Sequence, residues 1–318
     1  MTTALAHTGP PAAWVDCTPE EYHRPTGPPR LSQSLAHTII SRSPMHARRM
    51  LDREGDRDTA SKDQGSIVHA LLLGKGKGHV ILADPDGVPF KDRRTKAARE
   101  TEAKARAAGL VPVLQHEAAP MLALATKIRD RLWEDFAIEL DGESERAIHW
   151  TERAAVGTPV PCRGMLDHWH FERRTIYDLK IVKSAHPTAC RRHVIEYGCD
   201  IQRAAYVRAV EQVHPELAGR VSFVLLFGEV GTGAVTPVHL RGEMAQIGAL
   251  KWQRAIDTWA RCLAADRWPA YVREPVAFYE AKPWERDDEM GAQGQNNAAS
   301  FERPPTDDDD TEGETDDD

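Results

Sequence analysis

The chain has 318 residues, 41% of them apolar, which is enough for one large domain or two modest ones with a real core and polar segments outside it. No window approaches the roughly 20 apolar residues of a spanning helix; the longest apolar run lies near Val221–Phe227 and the first twenty residues lack a charged-then-apolar signal layout, so a cytoplasmic, non-membrane protein is expected. The formal net charge is −8, but Asp307–Asp318 holds nine acidic residues and no basic one, leaving the preceding chain at +1.

Residues 1–30 carry six prolines and no periodic pattern, and are expected to be extended or disordered. Leu31–Leu51 reads as helical, capped by Ser32 or Ser34 and broken at Ser43-Pro44; Gly65–Leu73 follows as a short buried helix. Lys91–Ala108 is alanine-rich and basic, a pattern that suits a solvated helix face and a phosphate-contacting surface equally. Ala118–Phe136 places Met121, Leu124, Ala125, Ile128 and Leu132 at helical period, which predicts a helix packed on a sheet. Three strands are then predicted, Arg146–Thr151, Val160–Phe171 and Thr175–Val182, the last two joined tightly around Glu172-Arg173 as in a meander. Helices over Thr188–Tyr197 and Asp200–Val213, strands over Arg220–Phe227 and Ala234–Leu240, and a closing helix over Glu243–Ala265 complete the order. In that last helix Trp252, Ile256, Trp259 and Leu263 read as core. From Pro283 the apolar pattern stops and disorder is expected; the acidic tail reads as solubilising, or as a competitor for a basic surface. The five cysteines are odd in number, scattered and free of any C-x-x-C pair, which favours reduced thiols over a disulfide framework or zinc knot.

The chemistry concentrates in two stretches, Arg163-Gly164-Met165-Leu166-Asp167 and Ile176-Tyr177-Asp178-Leu179-Lys180, on consecutive predicted strands. Strand residues alternate faces, so Asp178 and Lys180 share one side and Leu179 the other, its carbonyl still free to aim at a cation held by Asp167 and Asp178. Lysine suits the handling of an attacking water because, unlike arginine, its pKa moves readily. A lone D-x-K triplet is far more often a surface ion pair. Two acids on consecutive apolar strands are costly to bury unless compensated, and metal coordination is one compensation. Gln202 and Tyr206 stand four apart on one helix face that follows the third strand. His69 alone reads as a hydrogen-bonded core histidine, although Gly65 and Ala70 beside it permit close approach.

Taken together, these residues resemble the PD-(D/E)XK nuclease superfamily, in its RecE-like branch related to lambda exonuclease and the RecB nuclease domain. The resemblance spans about Leu31–Leu240 and adds Leu31-Ser32-Gln33-Ser34 with Ser43-Pro44-Met45-His46, Gly65-Ser66-Ile67-Val68-His69, Arg93-Arg94-Thr95, and Glu145 five residues before Trp150. It implies an α/β (α+β) restriction-endonuclease-like core, a central mixed sheet flanked by helices with an N-terminal helical extension. The domain division is then residues 1–30, an exonuclease domain over 31–282 and an acidic tail over 283–318. It further implies metal held by Asp167, Asp178, the Leu179 carbonyl, Glu145 and His69, with Glu143 competing for the place of Glu145. Lys180 would act on water, supported by Gln202 and Tyr206, while Arg163, Ser32, Ser34, Arg93 and Arg94 would contact DNA. The expected ion is Mg²⁺, or Mn²⁺, with no iron–sulfur cluster, since no cysteine follows Cys262. The substrate implied is double-stranded DNA ends, resected 5′ to 3′ for phage recombination in a bacterial cytoplasm, by a ring-like homo-oligomer working with a single-strand annealing protein. Two other classes fit the same residues: a structure-specific or restriction-type endonuclease, and a non-catalytic DNA-binding or assembly protein.

Overall fold

The structure, a computed structural model, describes residues 10–18, 21–22, 27–52, 60–75, 78–271, 280, 282–284 and 286. One compact unit runs from Met1 to Tyr271; Val272–Asp318 is a separate unit. The acidic tail therefore lies outside the described residues, as do most of the residues from Pro283 on.

A six-stranded mixed sheet forms the centre. Its strands are β1 (Ala13–Val15), β4 (Glu143–Arg153), β5 (Pro159–His170), β6 (Thr175–Val182), β7 (Ser222–Glu229) and β8 (Val235–His239), hydrogen-bonded in that order. Every neighbouring pair is antiparallel except β6 and β7, which run parallel. A parallel pair needs a long crossover. Here it is made by α6 (Pro187–Tyr197) and α7 (Cys199–Val213).

Helices cover both faces, and β6 explains how. Ile176 points into a cluster with Phe223, Leu225 and Phe227 of β7, covered by α1 (Gln33–Ser41), α7 and α8 (Gly242–Ala265) through Leu35, Ile201, Trp252, Ile256 and Trp259. Tyr177 and Leu179, pointing the other way, join Ile67 and Val68 of α3 (Ala60–Leu73) and Leu124 and Ile128 of α5 (Gln115–Phe136). Each fully buried Phe, Leu or Ile contributes about 1.5–3 kcal/mol relative to exposure. The α6–α7 turn is fixed by Gly198 at φ +67°, where a Cβ would stand 2.4 Å from His37 Cδ2.

The fold departs from the sequence expectations at its edges. Ala13–Val15, within the stretch expected to be extended or disordered, is a paired edge strand on β4. The basic segment is shorter as a helix, α4 spanning only Lys96–Ala107, and it connects the two strands of a small parallel sheet, β2 (His79–Ile81) and β3 (Val111–Val113), that no periodicity announced. The first meander strand begins at Glu143, so Glu145 lies inside β4 rather than ahead of it. A last helix, α2 (Pro44–Asp52), begins at the expected proline break. Among the described residues no helix is long and apolar enough to cross a membrane. Cys162, Cys190, Cys199 and Cys262 are buried, and no disulfide joins the described cysteines.

Candidate active site

Asp167 occupies the middle of a three-strand register. The β4–β5 ladder pairs Ser144 with His168 and Arg146 with Leu166, which sets Glu145 opposite Asp167. The β5–β6 ladder pairs His170 with Thr175, Trp169 with Ile176 and His168 with Tyr177, then stops, one step before Asp167 would face Asp178. Three carboxylates thus line up across adjacent strands, whose spacing is about 4.8 Å. Both junctions beside Asp167 are irregular: Glu145 has a left-handed backbone at φ +52°, uncommon for a side-chain-bearing residue, and β6 splays away from β5.

The splay is stabilised by the acid itself. Leu179 N–H, deprived of its ladder partner, donates to Asp167 Oδ2 at 2.9 Å. Because N–H and C=O of one strand residue point to the same edge, the Leu179 carbonyl is turned into the same fork. Leu179's side chain packs away among Tyr177, Ile67 and Val68, as alternation requires.

Two helices then close on the fork from opposite faces. From α3, His69 places Nε2 3.0 Å from Asp167 Oδ2 and Nδ1 3.4 Å from Glu145 Oε1. From α7, Gln202 Nε2 donates to Asp178 Oδ1, while Lys180 Nζ ion-pairs with Asp178 Oδ2. The site is therefore not confined to one sheet face, as alternation alone suggested; the opened ladder lets groups from both faces meet. Gly65 has nothing within 4 Å of its Cβ position, so it is not what lets His69 approach. Glu143 is exposed and pairs with Arg146, whereas Glu145 lies beside His69 in the fork.

The electrostatics follow from burial and mutual charge. Burial opposes ionisation of Asp167, but the positive charges of His69 and Lys180 and the Leu179 amide overcome this and hold it below the usual carboxylate range. Burial and then the Asp167 charge push Asp178 up to about 6, and burial pushes Glu145 up to about 7. Burial works against a proton on His69, yet Asp167, Glu145 and Asp178 raise it to about 9, and Asp178 and Asp167 likewise raise Lys180 above its ordinary value. Tyr206 is buried, and its phenol is pushed well above 10, so it stays a neutral hydroxyl.

Tyr206 gives a role to Gly164, which the first motif stretch contained without assigning it one. A Cβ on Gly164 would lie 2.7 Å from Tyr206 Cε1, so the ring rests directly on the backbone of β5. The available signal was a glycine at an inward strand position between Cys162 and Leu166, a mark of close approach.

The residues expected to contact DNA have partners within the protein. Arg93 makes a two-pronged pair with Glu117, Nη1–Oε1 and Nη2–Oε2 both 2.8 Å, and Arg94 pairs with Asp92. Ser32 caps α1, accepting from Leu35 N–H at 3.3 Å, and Ser34 accepts from Gln33 Nε2 at 3.0 Å. Arg163 donates to the Tyr22 carbonyl and lies 4.8 Å over the Tyr22 ring.

A family model described as "PDDEXK-like domain of unknown function (DUF3799)" matches residues 40–276. The chain belongs to this PDDEXK-like family. It carries the nuclease core of that superfamily, a mixed sheet between helices with the acidic register at its centre. Among solved structures, one similar protein is a provisionally described exonuclease from Eubacterium rectale, 14% identical over 78% of this chain and 91% of that one, with a TM-score of 0.46. Another is a phage-related exonuclease from Haemophilus somnus 129PT, 12% identical over 63% of this chain and 94% of that one, with a TM-score of 0.28. Comparison with curated proteins gives no match.

PDDEXK nucleases generally use divalent metals. As the side chains stand, no three His, Cys, Asp or Glu among the described residues are arranged to hold an ion, because His69 bridges two of the acids and Lys180 clamps the third. The donor set nevertheless fits a hard cation. Three carboxylates share one register level, a backbone carbonyl faces them, and Asp178 Oδ2 is buried with an ion-pair contact but no properly directed hydrogen bond. His69 and Lys180 currently supply the positive charge that an ion would bring.

Proposed function

We propose that this PDDEXK-like chain is a metal-dependent exodeoxyribonuclease that hydrolyses phosphodiester bonds at the ends of double-stranded DNA. The observation that supports this most directly is the Glu145–Asp167–Asp178 register at an opened fork, with Lys180 on the same strand as Asp178. Buried acids gathered without enough positive charge are expensive, and a cation between them offsets that cost.

Asp167, Asp178 and the Leu179 carbonyl are the residues that would hold Mg²⁺, with Mn²⁺ as the other candidate, and Glu145 and His69 complete the shell. When bound, the ion supplies charge for the phosphate and lowers the pKa of water. The chain's own groups do the rest. Lys180 presents an ammonium to the attacking water and the phosphate. Gln202 fixes Asp178 by donating to Oδ1, and Tyr206, packed on Gly164, keeps the α7 face in place. The protein side of the fork excludes water on the Asp178 flank, which is fully buried, while His69, Glu145 and Asp167 remain partly open to a substrate.

The RecE-like resemblance extends this reading to 5′-to-3′ resection for recombination, a ring-like homo-oligomer, a single-strand annealing partner and a phage gene product acting in a bacterial cytoplasm. The test is digestion of linear and covalently closed circular duplex with Mg²⁺, using the native chain, Asp178→Ala and Lys180→Ala. Nucleotide release from linear DNA alone, lost in both variants by about a thousandfold or more, is expected. Cutting of circles would assign an endonuclease, and equal release by all three proteins would remove the site assignment.

A further inference from the structure

One exposed feature beside the fork has no place in the hydrolytic machinery: the C-terminal end of α6. Tyr197, its last residue, is 56% exposed and stacks on His193, one turn earlier, with ring centroids 4.2 Å apart and planes inclined by 27°. His193 in turn stands edge-on to Phe227, centroids 5.3 Å apart at 82°. Phe227 is the register partner of Lys180 in the parallel β6–β7 ladder, so the ring column rises from the strand position next to the lysine. Gly198 links Tyr197 to α7, and its carbonyl accepts from the amide of Gln202, the residue that holds Asp178. The column is therefore tied to the site on two sides, by β7 and by α7.

Its composition identifies a ligand class. A ring that is already stacked on one face and open to solvent on the other loses little freedom when a further flat group settles on it. Arg191 and Arg192 are exposed on the same helix and supply positive charge for a phosphate chain. A positively charged surface combined with stacking rings is how proteins hold single-stranded nucleic acid without reading its sequence. We infer that the Tyr197–His193 column is a stacking platform for an unpaired nucleobase, placing the strand whose phosphate enters the Lys180 fork. This rests on the nuclease reading for its substrate, but its test does not depend on cleavage.

The probe is duplex DNA carrying 2-aminopurine at an unpaired terminal position, mixed with full-length chain made inert by Asp178→Asn. Stacking on Tyr197 quenches the fluorophore, and Tyr197→Ala in the same background abolishes the quench and weakens binding about tenfold. Tyr197→Phe, which keeps the ring, retains the quench, and unchanged circular dichroism and unfolding of Tyr197→Ala separate loss of the stacking ring from loss of structure. Equal quenching by the Ala variant, or no quenching by the parent, overturns the platform. The two readings fail separately: a native chain that cuts no DNA but quenches through Tyr197 loses the nuclease assignment and keeps the platform, and one that cuts while quenching without Tyr197 loses only the platform.

Discussion

Two buried carboxylates stand on strands of this sheet that flank β5 on either side, and they are treated in opposite ways. Glu152 of β4 is saturated: Oε1 accepts from Trp150 Nε1 and Trp252 Nε1, both at 3.1 Å, and from Arg208 Nε at 2.9 Å, while Oε2 takes Arg208 Nη2. Asp178 of β6 has one directed hydrogen bond, from Gln202, and an oxygen that meets Lys180 without proper hydrogen-bond geometry. Burial of a carboxylate is thus no signal of chemistry by itself. What separates the two is unfilled coordination, together with the irregular backbone at Glu145 and the interrupted ladder at Asp167.

The sharpest way to break this contrast is to remove each acid. Glu152→Ala strands two buried indole N–H groups and one guanidinium, and is expected to cost about 4 kcal/mol of unfolding free energy, read by urea denaturation. Asp178→Asn, of the same shape and in a site that already opposes the charge, is expected to change stability by about 1 kcal/mol or less while abolishing cleavage. If Asp178→Asn unfolds the protein and Glu152→Ala does not, the distinction drawn between the two carboxylates is wrong.

A third buried polar group, His168, belongs with Glu152 despite lying next to Asp167 in sequence. Its Nε2 accepts from Gly142 N–H at 3.0 Å and its Nδ1 lies 3.0 Å from Ser144 Oγ, a set of partners that suits the neutral ring. Burial, then the neighbouring His170, hold it down to about 4. Between the unfolded value near 6.5 and about 4 the unfolded chain takes up a proton that the folded chain refuses, so folding stability falls as pH drops through that window. The contribution reaches about 3 kcal/mol at its full extent. Unfolding curves at pH 7.5 and pH 5 are expected to converge in His168→Gln relative to the native chain; an unchanged difference would show that His168 is not the group responsible.

These contrasts mark how far the sequence could be read. Asp178-Leu179-Lys180 was legible because strand alternation is local, and Gln202 with Tyr206 because helical spacing is local too. The meander β4–β5–β6 carried its own turn and apolar signals. What escaped depends on distant partners. Ala13–Val15 is a strand only because Ala147–His149 offers it an edge, and β2 and β3, three residues each, are strands only because they pair with one another. Arg93 looked free for phosphate because Glu117 is 24 residues away. The left-handed conformation of Glu145 has no local mark at all, since it is imposed by the ladder on either side of it.

The smallest expected effect sharpens the comparison most finely, because it alters no acid. Gly164→Ala inserts one methyl where Tyr206 Cε1 lies 2.7 Å away, and the obstacle is a buried ring on a packed helix rather than a flexible tip. Either the ring or α7 must shift, at a cost of about 1–3 kcal/mol typical of overpacking. Gln202 lies one turn before Tyr206 on the same helix face, so a shift of α7 loosens its hold on Asp178, whereas the Glu152 anchor reaches α7 through Arg208 and its long side chain can follow. Gly164→Ala is therefore expected to lower cleavage of linear duplex by more than its loss of folded protein explains, with the deficit measured at a temperature where circular dichroism reports full folding. Tyr206→Phe, which keeps the ring over Gly164, is the control for the hydroxyl. A cleavage loss that only tracks the unfolded fraction would place Gly164 with Glu152, as a packing residue, and not with the fork.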